Sequence, residues 1–587
     1  MADSDSQTTQ QRLLMALIGA CAGYSFYVLL EWLGRGQSDP ALFLFLSVLA
    51  GVFFGDLLAM IGPLSIPRAA VSALVVALPT AGLMLWAGGR EVIATDILTD
   101  PQAMLAALIL ASVPLPFLIA AGQPGGRWSA YPVLFTQSWN IVVRYAAAWL
   151  FVGMVWIVLF LTDSLFSLIG LNVIRDYLLL GAGPYLITGL GLGLAMAVVN
   201  EMSEYIAPFF VLRLLRLFLP VLPVVITIFL LGLLLHGLTN FLHQLSLAET
   251  LLGMALLAAT LISTAVDQND AEAVQSPLMQ RSVEALALML PVLAALCLWA
   301  DGLRVAQYGW TPPRIAALEV ALIALAYGLL YAGAVIARRN WRARIRGANT
   351  VMALVCVAAS ALWLSPLIDV NGISARDQLA RYLSDTTPQN QRDLSSLKLN
   401  MGRAGAALYD QLKARAAQPG QETLRARIAT DEGWDTATVT EAEAAANRAK
   451  LRALLPVQPA TMSDLVDRIL LSAPAPSIKV WLDACARALP DGKPGCALVH
   501  GAFLPDLAGE QAVLATLNAD GYLDFDGFAI PDSGTVNMLS VSTLRVTDQA
   551  ARPAGDVLAA MQSGALIPTT PRLKALDLQD REIFLLP

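Results

Sequence analysis

Residues 314–368 read RIAALEVALIALAYGLLYAGAVIARRNWRARIRGANTVMALVCVAASALWLSPLI, two apolar runs separated by a short basic stretch. Each run, 314–336 and 349–368, has about the 20 residues that a helix needs to cross roughly 30 Å of hydrocarbon. The stretch between them carries five arginines in nine positions, namely Arg338, Arg339, Arg342, Arg344 and Arg346. We therefore predict two membrane-spanning helices joined on the side where positive charge accumulates.

Similar apolar runs precede this pair along the chain. Together with it they make eleven predicted spans, at 13–33, 41–62, 69–88, 103–122, 141–162, 183–200, 217–238, 248–267, 283–302, 314–336 and 349–368. The composition agrees, since 57% of residues are hydrophobic and 14% are charged, with a mean hydropathy of +0.62. Soluble domains average about 45–50% apolar and 25% charged residues, so a purely soluble protein is excluded.

The rest of the composition excludes two further classes of protein. Five cysteines in 587 residues are too few for a disulfide scaffold. A net charge of −7 and a pI near 5.2 provide no basic field for nucleic acid. The partner that the composition does imply is the lipid bilayer.

The chain divides into a membrane half and a half that is soluble in character. All six lysines lie after residue 370, and 370–587 contains no apolar run long enough to span a membrane. We predict a tail at 1–12, a helical transmembrane domain at 13–369, a helical extramembrane segment at 370–476 and a small α+β domain at 477–587. Within the last, β-like runs lie at 495–503, 511–517, 522–530 and 535–545, before a helix near 554–562.

The placement of arginine predicts the orientation of the spans. If the 338–346 stretch is cytoplasmic, eleven arginines lie on that side of the membrane and five on the other. The N-terminus is then cytoplasmic, and an odd number of spans places 370–587 in the periplasm of a bacterium. The expected fold is a polytopic α-helical protein of the inner (plasma) membrane, with about eleven spans and a C-terminal extracytoplasmic α+β domain.

Cysteine usage bears on the same question. Cys485 and Cys496 form the pair in the soluble half, and a turn rich in Pro and Gly lies between them. A disulfide across so short a loop is sterically reasonable and is stable in an oxidising compartment, which agrees with the periplasm. The alternative is two free thiols in a cytosolic domain.

Ionisable residues at membrane depth are costly and need an explanation. Asp56 and Arg144 could pair with each other, or they could form a proton or substrate relay. A second group combines both signs of charge with a rigid Pro312-Pro313 turn. Its members, which we name as a candidate ligand-binding set, are Asp301, Arg304, Tyr308, Arg314 and Glu319. The turn could hold a recognition surface or form a tight corner at the membrane interface.

No metal site or cofactor is predicted. His236 and His243 could share a helical face, but no carboxylate or cysteine lies near them in the sequence to complete a set of ligands. Prolines inside spans and a glycine-rich span at 183–200 would allow broken helices of the kind that transporters use. The prolines are Pro79, Pro114, Pro116, Pro220, Pro223 and Pro291.

One motif is similar to a known family. Tyr308-Gly309-Trp310-Thr311-Pro312-Pro313-Arg314, preceded by Asp301 and Arg304, resembles the Tyr-Gly-x-Thr-x-x-Arg signature of bacterial inner-membrane proteins catalogued as domain of unknown function 4153. Residues 165–171, LFSLIGL, are similar to another stretch of that family. The resemblance covers most of the membrane half and implies a polytopic inner-membrane protein, without implying an activity.

Three functions are compatible with these observations, and the first is the one we expect. A protein without enzymatic activity could bind or transport a small solute or lipid, with the periplasmic domain as an accessory. A membrane-embedded transferase could act on a lipid-linked substrate at the periplasmic face, although no acidic pair on an outer loop is recognisable for it. An envelope scaffold or sensor could use its soluble domain to meet another envelope protein.

Overall fold

The structure is a computed structural model, and it describes most of the chain. The described residues are 2–584 except for gaps at 34–38, 124, 172–173, 176–177, 202–208, 237–246, 385–393, 423, 426–427, 429–440, 460–462, 490, 504–508, 519–520, 531–535, 540, 542–552, 565–574 and 578–581. By contacts between residues the chain forms two compact units, Met1–Glu422 and Thr423–Pro587. Each unit is described below by itself.

The first unit is a bundle of long apolar helices. Its membrane-length part comprises α1 (Ala2–Val28), α2 (Pro40–Met60), α3 (Ile66–Gly88), α4 (Pro101–Ser112), α5 (Leu115–Gly122), α6 (Tyr131–Leu168), α7 (Gly183–Glu201), α8 (Phe209–Arg216), α9 (Val221–His236), α10 (Leu247–Val266), α11 (Pro277–Tyr308), α12 (Pro312–Ile336) and α13 (Trp341–Leu364). In the described residues, eleven helical stretches are long and apolar enough to cross a membrane. The predicted number of membrane-length apolar helices is therefore confirmed for the described residues.

Proline breaks two of these stretches and leaves others continuous. The fourth stretch is interrupted at Val113-Pro114, between α4 and α5, and the seventh between α8 and α9, next to Pro220. Proline removes a backbone donor and crowds the preceding turn, which explains both interruptions. Helices α3 and α11 nevertheless continue past Pro79 and Pro291. Proline in a span thus permits a break without requiring one.

Helices α1 and α7 pack in contact along their backbones. A Cβ atom on Gly19 would overlap the carbonyl oxygen of Gly189, and one on Gly193 would overlap that of Met15. Near the ends of the pair, Arg12 Nε donates to Glu201 Oε1 at 2.9 Å, as the antiparallel arrangement of the two helices allows. Gly189 and Gly193 of α7 therefore serve close packing, as small residues do between membrane helices, in a helix that is continuous from Gly183 to Glu201.

Three short helices after the last span belong to the first unit. They are α14 (Val370–Leu383), α15 (Leu394–Leu399) and α16 (Gly402–Ala416). The division between the units at 422/423 thus falls inside the segment predicted at 370–476.

The second unit packs helices against a small sheet. Its helices are α17 (Glu441–Leu454), α18 (Ser463–Ser472), α19 (Ala475–Cys485) and α20 (Ala554–Gln562). Its strands are β1 (Val457–Gln458), β2 (Cys496–His500), β3 (Glu510–Leu517), β4 (Leu523–Ile530), β5 (Asn537–Leu539), β6 (Ala575–Asp577) and β7 (Glu582–Phe584). Strands β1 to β5 lie side by side in chain order, with β1 parallel to β2 and the others antiparallel, and β6 pairs with β7.

The small C-terminal sheet confirms the predicted α+β character, since each β-like run coincides with one of the strands β2 to β5. Strand β1 was not expected, because two residues beside Pro456 and Pro459 show no alternation. The core joins Leu451, Leu465 and Ile469 of α17 and α18 to Leu498 and Phe528 of the sheet. Helices from the predicted 370–476 segment thus complete this core. Cys485 and Cys496 form the predicted disulfide, joining the end of α19 to the start of β2.

Candidate functional site

The turn at 308–314, between α11 and α12, is held by its own arginine. Arg314 Nη1 donates to the carbonyl oxygen of Gly309 at 2.7 Å and to that of Tyr308 at 3.3 Å. Its guanidinium also lies 5.6 Å from the centre of the Tyr308 ring. Carbonyls at a helix C-terminus carry partial negative charge, so an arginine here caps α11. Arg314 therefore has a structural role in this turn.

Helix α14 docks on the same turn through three polar side chains. Asp377 Oδ2 accepts from the Trp310 amide at 2.8 Å, and Gln378 Nε2 donates to the carbonyl oxygens of Tyr308 and Trp310 at 2.8 and 3.0 Å. Arg381 Nη2 donates to the carbonyl oxygen of Val305 at 3.1 Å. These bonds satisfy the Trp310 amide and the carbonyl oxygens of Tyr308 and Trp310, which the chain reversal leaves without a helical partner.

The predicted ligand-binding set is thus divided by the structure. Tyr308 and Arg314 belong to the docked corner. Asp301 is 3% exposed, its Oδ2 atom has no hydrogen-bond partner among the described residues, and the charges of Arg304 and Arg314 act on it. Glu319 lies apart from these four and lines a cavity inside the bundle.

Asp56 and Arg144 are both buried, at 5% and 8% exposure, but the structure does not pair them. Among the described residues no partner reaches Asp56 Oδ2, and no ion pair joins it to Arg144. Tyr145 contacts α2 instead, its hydroxyl donating to the carbonyl oxygen of Gly55. Arg144 lies on the buried face of α6, one turn before Ala148, so burial alone does not bring its guanidinium to Asp56.

A feature that could hold a ligand is a cavity of about 550 Å³ among α4, α6, α10, α11, α12 and α13. Its wall is mostly apolar. The described lining residues that carry polar groups are Gln102, Trp139, Thr260, Ser263, Glu319, Tyr327, Tyr331, Asn349, Cys356, Ser360 and Trp363. Mostly apolar walls with a few polar groups are typical of small-molecule sites. We name this cavity the Glu319 cavity.

A hydrogen-bonded cluster lies at one end of the Glu319 cavity. The Tyr331 hydroxyl donates to Asn349 Oδ1, and Asn349 Nδ2 donates to the Tyr131 hydroxyl at 2.9 Å and to Ser263 Oγ at 3.1 Å. Beyond it lies a second cavity of about 370 Å³, which shares five lining residues with the first, including Asn349 and Trp139. The two cavities are neighbours on either side of this cluster.

The Glu319 cavity reaches the outside of the bundle at its side. Leu105 of α4 and Leu256 of α10 line it and are 50% and 51% exposed, and Thr260 of α10 is exposed as well. Exposed leucines on membrane-length helices are the side chains that would meet lipid. An apolar molecule could therefore enter between α4 and α10 from the hydrocarbon.

The loop after α3 fastens the end of α13 near Trp363, a lining residue. Arg90 Nη1 donates to the Trp363 carbonyl oxygen at 3.3 Å, and Asn371 Nδ2 donates to Glu91 Oε1 at 2.9 Å. Burial raises the pKa of the Glu91 carboxyl, and the hydrogen bond from Asn371 opposes that shift. The Arg403 amide donates to the Arg90 carbonyl oxygen at 2.8 Å, so α16 is fixed at the same corner.

Arginines near the other end of the bundle cap α10. Arg216 Nε donates to the Thr264 carbonyl oxygen at 3.0 Å and Arg346 Nη2 to that of Val266 at 2.9 Å. Arg346 Nη2 also donates to Asp270 Oδ1 at 2.7 Å. Part of the basic stretch that sets the predicted orientation thus has a specific packing role as well.

Sequence reasoning missed most of the cavity. Asn349 stood at the start of a predicted span, whereas α13 begins at Trp341 and carries Asn349 two turns inside the helix. Extending the predicted span toward Trp341 would have placed the polar residue Asn349 inside a membrane helix and marked it as a candidate cavity residue. The possible metal ligands His236 and His243 cannot be placed, because the His236 side chain and 237–246 lie outside the described residues. Within the described part, no group of three His, Cys, Asp or Glu residues could hold a metal ion.

Comparisons with known proteins add no relative: no family model, no curated protein and no solved structure matches this chain.

Proposed function

We propose that this protein binds, and passes within the membrane, a small molecule that is largely apolar, and that the Glu319 cavity is its site. The observation that carries the proposal is the cavity itself, about 550 Å³ with mostly apolar walls inside the bundle of membrane-length helices. Sites for small molecules have volumes of roughly 300–1,000 Å³. The exposed rim at Leu105 and Leu256 supports entry from the lipid side.

Filling the cavity tests this function. Ala359 lines the cavity, whereas the adjacent Ala358 is exposed and does not. Phenylalanine at 359 would occupy cavity volume, and phenylalanine at 358 would face outward. We expect mass spectrometry of protein purified from native membranes to detect a bound apolar molecule with the unmodified protein and Ala358→Phe, and at least about tenfold less of it with Ala359→Phe. Equal occupancy in all three proteins would contradict the proposal.

The proposed location is the inner membrane of a bacterium, with the N-terminus in the cytoplasm and the second unit in the periplasm. The excess of arginine on one side and the Cys485–Cys496 disulfide support it. A fluorescent reporter fused after Pro587 that is active only in the cytosol should stay dark. A fluorescent reporter would contradict the proposed topology and place the second unit in the cytoplasm.

Membership of the family catalogued as domain of unknown function 4153 is also a proposal, supported by the motif at 308–314. The close approach of α14 to Gly309 and the hydrogen bond from Arg314 to the Gly309 carbonyl oxygen give both motif positions a specific role in the turn. Free variation at both positions in homologous sequences would argue against it.

A further inference from the structure

Glu319 is the one charged group among the described residues that line the cavity. It lies on α12 seven residues after Pro312, about 10 Å along the helix axis from the first turn. No hydrogen bond or ion pair from a described residue reaches its carboxyl group. The charge of Glu319 acts on Cys356 across the cavity, a free thiol that cannot supply positive charge.

A carboxylate in such surroundings is costly. Transfer of an ionised group from water to apolar surroundings is strongly unfavourable unless a counter-charge or a set of donors meets it. The polar cluster around Asn349 cannot serve, because its amide groups are already engaged with Tyr131, Ser263 and Tyr331. Tyr331 is also twelve residues beyond Glu319 on the same helix, about 18 Å along its axis.

We infer that the occupant carries an ammonium group that pairs with Glu319, attached to an apolar body that fills the rest of the cavity. This inference rests on the proposed function and names its ligand class. A positively charged group gains the Coulomb energy that the carboxylate otherwise lacks, and the low dielectric of the site increases that gain. An anionic molecule is disfavoured, since no described lining residue is basic.

The ammonium group could belong to a free amphipathic amine or to the headgroup of an aminophospholipid. The test uses the full-length protein in nanodiscs of phosphatidylglycerol and three probes of one chain length: an alkylamine, an alkanol and an alkanoate. We expect the order of affinity to be amine, then alcohol, then acid. Added phosphatidylethanolamine that displaces the alkylamine would assign the ammonium group to a lipid headgroup, and failure to displace it would assign it to a free amphiphile.

Variants locate the charge that selects the amine. Glu319→Gln should weaken binding of the alkylamine by about tenfold or more and leave the alkanol unchanged, because only the amine loses a charge partner. Glu319→Asp keeps the charge and should keep the preference for the amine. Glu249→Gln is the matched control, since Glu249 is exposed on α10 and does not line the cavity.

Two results would overturn the inference, and they differ in whether the proposed function also fails. If the alkanol and alkylamine bind equally well, and Ala359→Phe blocks both, the ammonium assignment fails while the proposed function stands. If no probe binds in a manner that Ala359→Phe prevents, the proposed function fails as well.

Discussion

Gly309 has a backbone conformation, φ +78° and ψ −179°, that is essentially restricted to glycine. A Cβ atom there would also overlap the side chains of Asp377, Gln378 and Arg381, which dock α14 on the turn. We expect Gly309→Ala to cost about 1–3 kcal/mol and to lower the Tm of the first unit by several degrees in a thermal melt.

The matched control for this change is Gly302→Ala. Gly302 lies in α11, and a Cβ atom there would have open space around it. Alanine favours a helix by up to about 1 kcal/mol over glycine, so this variant should be unchanged or slightly more stable. Equal Tm values for the two alanine variants would show that the corner at Gly309 does not constrain the fold.

For single residues, the sequence indicated which side chains are noteworthy but did not predict the contacts that they make. The sequence marked Arg314 as noteworthy, but its hydrogen bonds to Tyr308 and Gly309 depend on a chain reversal that no local pattern specifies. Asp56 and Arg144 are buried, as their apolar neighbours suggest. They are not paired, because burial of two residues does not by itself bring their side-chain ends together, and that placement depends on all the neighbouring helices.

Among the elements, the α1–α7 pair depends most directly on glycine. A Cβ atom on Gly189 would overlap the Gly19 carbonyl oxygen, whereas one on Gly191 would meet only the Val152 side chain, at 3.5 Å. We expect Gly189→Ala to separate the two backbones and to destabilise the unit by about 1–3 kcal/mol, and Gly191→Ala to have little effect. Thermal melts of the two variants in the same detergent provide the comparison, and a Tm for Gly189→Ala at or above that of Gly191→Ala would contradict the expectation.

The existence of the helices followed from the sequence more reliably than their ends did. Apolar length alone predicts each span, because an unbroken apolar run has one stable form in lipid. Helix α6 extends over 38 residues, well beyond its predicted run at 141–162. The first turns of α6 and α13 carry polar side chains, and a prediction from hydropathy therefore leaves these turns out of the spans. Tyr131 lies in one of them.

For the whole molecule, the division into two units means that the disulfide should stabilise only the unit that contains it. Cys485 and Cys496 are 11 positions apart and both lie in the second unit, whereas Cys21, Cys297 and Cys356 of the first unit are free thiols. Closing a loop of this size restricts the unfolded chain and stabilises a fold by about 3 kcal/mol. Reduction should therefore lower the midpoint temperature of unfolding of the second unit and leave that of the first unit unchanged.

Scanning calorimetry of the full-length protein with and without reductant measures both transitions. A Cys485→Ala/Cys496→Ala double variant under oxidising conditions should reproduce the effect of the reductant. A second-unit transition that responds to neither treatment would show that the disulfide does not contribute to stability.

By itself the sequence determined the eleven membrane-length apolar helices, the disulfide pair and the small C-terminal sheet of the described residues, because each follows from local composition and spacing. Apolar length, alternation and the distance between two cysteines are properties of neighbouring residues. Only the tertiary structure decided that Glu319 faces a cavity while Arg314 caps a corner, and that α17 and α18 complete the second core. Those outcomes depend on how distant helices rotate and pack against one another, where each side chain's surroundings come from residues far away in the chain.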